Sequence, residues 1–304
     1  ALDTVARDLA LDFQGARKAP DVSRHDAPPA RLGVWVPWAD TDLMGWIRWV
    51  LDREAIPYTY LRDEDIRAGG LKEKVDVIVY GPFSRLELQG QIHGIAPTDG
   101  PMAFGKTPET PSLGAPVSSS DITGGPGFVG LESVRRFVDE GGVLLTLGGG
   151  STLALEGGLV RGVRRALGTA VFTPGSELRL TFAQPDSPLA YGYGRETSAF
   201  RNDEHVYDLP RRWDTMAYCT SCLEGPTDRR FVVSTWGGDG PMVVSGGMRG
   251  ESDLAGRPAI LDVPIGRGHV VAYNFSPIHR DMNRSDYRFL WNAILNWTAL
   301  PAPR

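Results

Sequence analysis

Residues 141–151 read GGVLLTLGGGS, and this stretch decides the fold. The apolar run at 143–147 lies between paired glycines and a triple glycine. It is too short and too rich in β-branched side chains for a helix. Because it is apolar on both faces, it is typical of a central parallel strand. The residues before it place apolar side chains at helical spacing, namely Phe128, Leu131, Val134, Phe137 and Val138. Helix, glycine turn and buried strand form half of an alternating α/β unit.

The residues that follow this strand are the first candidates for a binding site. Ligand sites in open α/β sheets lie just past the carboxyl ends of the strands. That position holds Gly148, Gly149, Gly150 and Ser151, which we call the glycine elbow. Its open backbone N–H groups would accept an anion, and Arg280 would approach the same rim. The alternative, which we favour, is that the glycines allow tight packing of helix on strand and that Arg280 pairs with a local acid.

The rest of the pattern predicts an α/β fold with a doubly wound, mostly parallel sheet. Strand-like runs at 31–38, 58–61 and 75–80 alternate with helical patterns in the order of a doubly wound sheet. A helix is predicted at 159–167. From residue 178 onward, short runs separated by turns predict additional antiparallel strands in the C-terminal half.

Composition shifts divide the chain into an N-terminal tail or linker at 1–30, the α/β domain at 31–300 and a short tail at 301–304. Within the domain, 82–124 is a long insertion loop rich in Pro, Gly and Ser, and 178–275 is a strand-rich extension. Loops as long as this insertion are usually functional, partner-binding or disordered.

Charge and composition exclude several classes of function. The net charge is −5 and the pI is near 5.6, and the basic pairs are scattered among acids, which argues against a nucleic-acid surface. A hydrophobic fraction of 41% is typical of a globular protein with a real core. No apolar run is long enough to cross a bilayer, so we expect no transmembrane segment, and no cofactor signature stands out.

The chain has two cysteines, Cys219 and Cys222, in the segment YCTSCLEG. A zinc site would need two further ligands, and a redox dithiol should open a helix after the first strand of a βαβ unit. This pair lies in a polar, turn-rich region instead. The interpretations left are two inert thiols or a local disulfide.

Several separated segments resemble the C-terminal module of bacterial zinc-carboxypeptidase-like (M14-type) proteins. They include RLGVWVPW at 31–38, GGPGFVGLESVRRFVDEGGVLLTLGGGSTLALE at 124–156 and AGRPAILDVPIGRGHVVAYNFSPIHR at 255–280. The resemblance implies a class I glutamine amidotransferase-like fold, a relative of flavodoxin. It also implies an extracytoplasmic setting, periplasmic or secreted and peripheral to a membrane, because family members are mostly exported. The sequence departs from the family in the insertion, around the cysteine pair and at 276–287.

The resemblance is associated with two activities, zinc-peptidase and amidotransferase. The sequence lacks the catalytic residues of both. Peptidase activity requires a zinc ion held by H-x-x-E and a third ligand. No histidine begins that motif. His205 precedes Asp208 at the same spacing, but one such pair does not make a zinc site. The peptidase domain is therefore absent from this chain, and we expect no metal.

Amidotransferase activity requires a cysteine at the elbow, and the elbow has none. Serine is a weak replacement, because Leu153 breaks the pattern G-x-S-x-G. A relay of Ser151, His279 and Glu156 is the remaining catalytic candidate. The commoner role for Ser151 is that of a helix N-cap.

These observations predict a non-catalytic, amidotransferase-like module. We expect a protein-interaction or scaffold subunit of a larger extracytoplasmic or envelope-associated assembly. Its partners would be a peptidase domain or subunits of a membrane-associated complex. The alternative is a hydrolase, either as a fragment or accessory domain of a zinc carboxypeptidase-like protein or as a degenerate enzyme that uses Ser151.

Overall fold

The computed structural model of the chain describes residues 2–301 except 20, 23, 84–86, 99 and 210–229. Cys219 and Cys222 lie outside the described residues. The helices are α1 (Leu2–Leu9), α2 (Asp42–Arg53), α3 (Asp63–Ala68), α4 (Leu71–Lys74), α5 (Leu88–His93), α6 (Gly127–Asp139), α7 (Ser151–Glu156), α8 (Glu251–Leu254) and α9 (Tyr287–Leu295). The strands are β1 (Leu32–Trp35), β2 (Thr59–Leu61), β3 (Val77–Tyr80), β4 (Val143–Leu147), β5 (Arg164–Arg165), β6 (Ser176–Phe182), β7 (Glu196–Arg201), β8 (Tyr207–Asp208), β9 (Val232–Trp236), β10 (Val243–Ser245), β11 (Pro258–Ile265) and β12 (Gly268–Tyr273).

Ten of the described strands form one sheet with a parallel half and an antiparallel half. The parallel half has the order β2-β1-β3-β4-β12, which is the strand order of flavodoxin-like folds. Beyond β12 the sheet continues with β11, β9, β6 and β10, each antiparallel to its neighbour, and β7 pairs with β6. This order confirms the predicted fold class, including the antiparallel strands of the C-terminal half.

The predicted central strand, β4, lies between β3 and β12, and all five of its residues are buried. Helices cover both faces of the sheet. Ala272 of β12 faces Ser151 and Leu155 of α7 across a small void. The next residue, Tyr273, points to the opposite face, where its hydroxyl donates to the Phe289 carbonyl of α9 at 2.8 Å. At β12 the sheet is therefore covered by α7 on one face and by α9 on the other.

The segment predicted as a tail contains two different parts. Helix α1 has no buried residue. Residues 25–28, in contrast, lie along the end of α9, where His25 Nε2 is 2.8 Å from Asn296 Oδ1. The Trp297 indole N–H donates to the Pro28 carbonyl at 3.1 Å. The chain is thus held against the domain several residues before β1 begins.

The insertion at 82–124 has more structure than its composition predicts. It contains α5, a helix whose sequence LQGQIH carries a central glycine and little apolar periodicity, so its pattern gave no helical signal. Farther along, the Ser119 hydroxyl donates to Glu64 Oε1 at 2.6 Å, and Phe104 packs against Trp38 with ring centroids 5.1 Å apart. These contacts fold the loop back over the ends of β1 and β2.

The predicted helix at 159–167 was wrong. This segment holds turns and the two-residue strand β5, which pairs with β8. Its apolar residues Leu159, Val160 and Val163 are buried against the core, but a left-handed glycine at 162 interrupts any helix. The apolar spacing therefore reflects burial against the core and not a helix.

Candidate functional site

The glycine elbow forms a tight turn at the carboxyl end of β4, directly against the segment that follows β3. The turn spans Gly148–Gly150. A Cβ on Gly149 would lie 2.4 Å from the Phe83 carbonyl oxygen, and one on Gly150 would lie 2.9 Å from that of Tyr80. Only glycine fits at such distances, so the geometry supports the packing interpretation of these residues.

Ser151 lies beneath this turn and is 1% exposed. Its hydroxyl is 3.2 Å from the Tyr273 carbonyl oxygen and 3.1 Å from Thr146 Oγ1. The N-cap of α7 is Gly150, and Ser151 is the first helical residue. The N-cap role expected for Ser151 was therefore wrong: its side chain turns into the sheet and joins the ends of β4 and β12 instead of capping the helix.

The other members of the imagined relay lie in different surroundings. The His279 ring stacks on Phe200 with centroids 4.2 Å apart, and burial lowers the pKa of His279. Glu156 pairs with Arg165 at 2.9 Å. Among the described residues, Ser151 Oγ is hydrogen-bonded only to Thr146 and Tyr273, so the structure does not bring the three residues together as a relay.

Arg280 is exposed and follows the last strand in a left-handed conformation, with φ of 52°. The acid that follows it, Asp281, is bound instead by Arg53 and by the Tyr287 hydroxyl. These bonds hold the pKa of Asp281 at about 2. The structure places no described contact between Arg280 and the glycine elbow.

A residue that the sequence pattern did not single out, Glu204, occupies the rim of the elbow. A Cβ on Gly148 would lie 3.1 Å from Glu204 Oε1, so the carboxyl group rests on the first glycine of the turn. The Glu204 side chain is 6% exposed. Its other oxygen, Oε2, is buried and has no hydrogen-bond partner among the described residues. Burial raises the pKa of Glu204 to about 7 despite the opposing attraction of Arg201.

Arg201 holds the segment that carries Glu204. Its side chain is fully buried, and its guanidinium donates to the Glu204 carbonyl oxygen at 2.6 Å and to that of Asn202 at 3.1 Å. The guanidinium Nε is 4.0 Å from Glu204 Oε2, too far for a hydrogen bond. Burial lowers the pKa of Arg201. Arg201 therefore fixes the backbone of this segment more than it pairs with the carboxyl group.

A cluster of charged side chains lies at the surface near Arg201 and Glu204. Arg165 bridges Glu87 and Glu156 at 2.7 and 2.9 Å, and His205 Nε2 is 3.4 Å from Glu87 Oε1. Arg165 lowers the pKa of Glu87, and burial lowers that of His205. Asp208, which shares a suggestive spacing with His205, pairs with Arg257 at 2.6 Å. The histidine therefore belongs to an ion-pair network.

No sequence signal marks Glu204, because residues 202–206 have neither periodicity nor a motif. In the part of the chain that the structure describes, no three His, Cys, Asp or Glu side chains form a group suited to a metal ion. No described helix has both the length and the apolarity that a membrane span requires. The chemistry at this edge of the sheet is thus that of a buried carboxyl group beside a closed turn.

No protein-family model and no curated protein matches the chain. Similar solved structures include a cytoplasmic protein of Salmonella typhimurium, with 13% identity, coverage of 90% of this chain and 100% of that one, and a TM-score of 0.46. A ThuA-like protein of Bacteroides uniformis has 9% identity, coverage of 90% and 94%, and a TM-score of 0.46. A GMP synthase-like protein of Thermoplasma acidophilum has 13% identity, coverage of 91% and 96%, and a TM-score of 0.42.

The ThuA-like and GMP synthase-like proteins have class I glutamine amidotransferase-like folds, the class that the sequence resemblance named. Structural similarity at 9–13% identity and TM-scores below 0.5 does not indicate function. The fold class of this chain rests on its own strand order, with the parallel order β2-β1-β3-β4-β12 continued by antiparallel strands.

Proposed function

We propose that the chain is a non-catalytic, amidotransferase-like module that acts as a protein-interaction or scaffold subunit of an extracytoplasmic or envelope-associated assembly. The observation that carries this proposal is the closed elbow. Where an amidotransferase presents its nucleophile, this chain has a serine that is 1% exposed, with its hydroxyl bound to a strand carbonyl. A substrate would have no path to that oxygen.

An exposed apolar surface on α1 supports the proposed role in protein contact. Leu2, Val5 and Leu9 follow helical spacing and are 67%, 41% and 63% exposed. Leu11 and Phe13, just beyond the helix, are also about half exposed. Apolar side chains gathered on one side of a short helix favour a contact that buries them, since each large side chain gains about 1.5–3 kcal/mol on full burial.

The alternative is a hydrolase, either a Ser151 enzyme or a segment of a zinc carboxypeptidase-like protein. The first version requires Ser151 to leave its bonds with Thr146 and Tyr273. An active-site serine probe tests it directly: labelling that disappears in Ser151→Ala would establish the enzyme and overturn the proposal. For the second version, the coding sequence upstream of residue 1 would contain a domain with H-x-x-E.

The scaffold proposal is tested by the size of the assembly that the protein forms in its native source. The variant Leu2→Ser, Val5→Ser, Leu9→Ser removes the apolar face of α1. The matched control, Asp3→Ser with Arg7→Ser, changes the polar positions of the same helix. We expect the wild-type protein and the control to migrate in a large complex on native gels, and the apolar variant to migrate as the free chain. If wild type itself is free in every cell fraction, the scaffold role is wrong.

A further inference from the structure

The exposed apolar side chains of α1 form a stripe that has acids along both borders. At about 100° of rotation per residue, Asp8 lies beside Val5 and Asp3 lies beside Leu2, whereas Arg7 is on the opposite side of the helix. Residues 2–13 contain three aspartates and one arginine. The segment therefore offers apolar area together with negative charge.

This helix is an arm that the rest of the chain leaves uncovered. None of its residues is buried, and the contacts that hold the chain to the domain begin only at His25. The intervening residues 14–24 span about 35 Å when extended at about 3.3 Å per residue. The arm can therefore reach a neighbouring molecule while residues 25–28 stay in place along the end of α9.

The loop that follows β12 has the complementary character. Met282 in this loop is 73% exposed, and Arg280 beside it is exposed as well. Arg280 and Asp281 are both left-handed, with φ of 52° and 56°. Such backbone conformations are costly for residues other than glycine and are concentrated at functional sites. The loop is therefore a candidate contact point in its own right.

Helix α2 adds an aromatic side chain to the same surface. Arg53 of α2 binds the Asp281 carboxylate, which joins the helix to the loop. Trp49 precedes Arg53 by one turn on the same side of α2 and is 55% exposed. Trp49 and Met282 are thus brought to one surface. Together with Arg280 and Arg284 they form what we call the acceptor surface.

The acceptor surface has an excess of positive charge in its loop. Arg280 and Arg284 accompany a single acid, Asp281. That acid is already bound by Arg53 and by the Tyr287 hydroxyl, and Arg284 approaches it at 3.3 Å. Among the described residues none forms a hydrogen bond or an ion pair with Arg280. The surface therefore suits a partner that is apolar and acidic, which is the character of the arm.

We propose that α1 of one copy packs on the acceptor surface of a second copy, and that the two copies exchange arms reciprocally in a dimer. The apolar stripe covers Met282 and Trp49, and the acids along its borders approach Arg280. Because arm and acceptor belong to the same chain, one two-fold pairing uses both of each and closes the assembly. This inference rests on the proposed role of α1 in protein contact and names a second copy as the partner of that helix.

Sedimentation velocity of the full chain, from micromolar concentration to about 0.1 mM, tests the dimer. We expect a reversible dimer of the wild type. The arm variant, Leu2→Ser with Val5→Ser and Leu9→Ser, should weaken dimerisation at least tenfold. The acceptor variant, Arg280→Asn with Met282→Ser, should do the same, and asparagine is chosen because it tolerates the left-handed conformation. Circular dichroism checks that both variants keep their fold.

A matched control for the acceptor variant is Lys106→Asn with Leu167→Ser. It removes one exposed base and one exposed apolar side chain elsewhere on the surface, and it should leave the dimer unchanged. An acceptor variant that dimerises as well as this control would refute the proposal.

Cross-linking between two differently tagged chains identifies the contact, in a background of Cys219→Ser and Cys222→Ser. One chain carries Leu9→Cys and the other Met282→Cys, so a disulfide between them reports an arm on the partner copy and not on its own chain. We expect this pair to cross-link severalfold more than Leu9→Cys with Lys106→Cys. Equal yields would refute the exchange, as would a Leu9→Cys chain that cross-links mainly to itself.

The two proposals about α1 fail separately. A pure wild-type chain that stays monomeric up to about 0.1 mM would overturn the dimer. If that chain is nevertheless found in a large complex in its native source, α1 has a different partner and the scaffold role stands. A dimer in purified protein without any larger complex in the source would support the exchange and count against the scaffold role.

Discussion

Glu204 and Asp262 are both buried carboxyl residues with one oxygen that has no described hydrogen-bond partner, yet their settings differ. Glu204 rests on Gly148 at the carboxyl end of β4, inside a closed turn. Asp262 is paired with His269, whose strand neighbour is Val143 at the amino end of β4. For the first carboxyl group, the Arg201 Nε lies 4.0 Å from Oε2, too far for a hydrogen bond, and burial raises the pKa to about 7. The second has a partner on one oxygen, His269 Nδ1 at 2.7 Å from Oδ1. At the carboxyl end of β4 the carboxyl group is packed against a glycine turn, whereas at the amino end it is hydrogen-bonded by a histidine.

The largest effect that would test the closed end is expected from Gly149→Ala. The added Cβ would meet the Phe83 carbonyl oxygen at 2.4 Å, and backbone on both sides leaves little room to yield. We expect the free energy of unfolding to fall by about 3 kcal/mol or more. Gly45→Ala, in α2 with open space around it, should be neutral or stabilising by about 1 kcal/mol. Urea denaturation of both variants measures the difference, and a well-tolerated Gly149→Ala would mean that the elbow is open.

The protonation of Glu204 predicts a pH dependence of stability. Its pKa is about 7 in the folded chain against 4.5 for the free side chain. The stabilisation from this group is complete below pH 4.5 and is lost as the pH rises through 7, because the folded state binds the proton more tightly. The total change is about 3 kcal/mol for a difference of this size. Glu204→Gln should remove this loss, so that the variant becomes more stable than wild type near pH 8.

Asp286 provides a comparison for that measurement. Its pKa is also raised to about 7 by burial, although it accepts hydrogen bonds from the Phe200 backbone and the Asn283 amide. The stability of the Glu204→Gln variant should therefore still fall as the pH rises from 3.8 through 7, but with a smaller slope than that of the wild type. A Glu204→Gln variant whose pH profile superimposes on that of wild type would show that Glu204 is ionised and solvated.

Ser151→Ala tests the bonds between the ends of β4 and β12. Removing a hydroxyl that donates to a buried carbonyl should cost about 1–3 kcal/mol. Ser133→Ala, where the hydroxyl bonds to the Val129 carbonyl within α6 near the surface, should change stability by less than about 0.5 kcal/mol. If the two variants are equally stable by thermal denaturation, Ser151 is not part of the closure.

The smallest expected effect concerns the contacts of His25 with Tyr191 and Asn296. His25→Ala removes the stack on Tyr191 and the bond to Asn296, both near the surface, and should cost about 0.5–1 kcal/mol. Lys18→Ala, an exposed change in the same segment, is the control. Thermal denaturation measures both variants, and equal stability of the two would mean that His25 does not hold this segment against the domain.

The fold was predictable because its signals are local. The apolar run at 143–147 and the helix before it have their periodicities in adjacent residues, and both elements formed as expected. Burial of Glu204 depends on its approach to Gly148, more than fifty residues earlier, and no local pattern encodes that contact. The Asp262–His269 pair is intermediate in how far the sequence predicts it. Once the β11–β12 hairpin is registered so that Ile265 pairs with Gly268, period two places both side chains on one face. That alternation is present in the sequence, although the pair was not among the predicted site residues.

The contact between residues 25–28 and 296–298 has a practical consequence for engineering. Both ends of the folded body leave it side by side, next to Tyr191. A flexible bridge between the two ends, combined with new termini in an exposed turn, would give a circular permutant with the sheet intact. By the same geometry, the domain can be grafted into a surface loop of a host protein without stretching either junction.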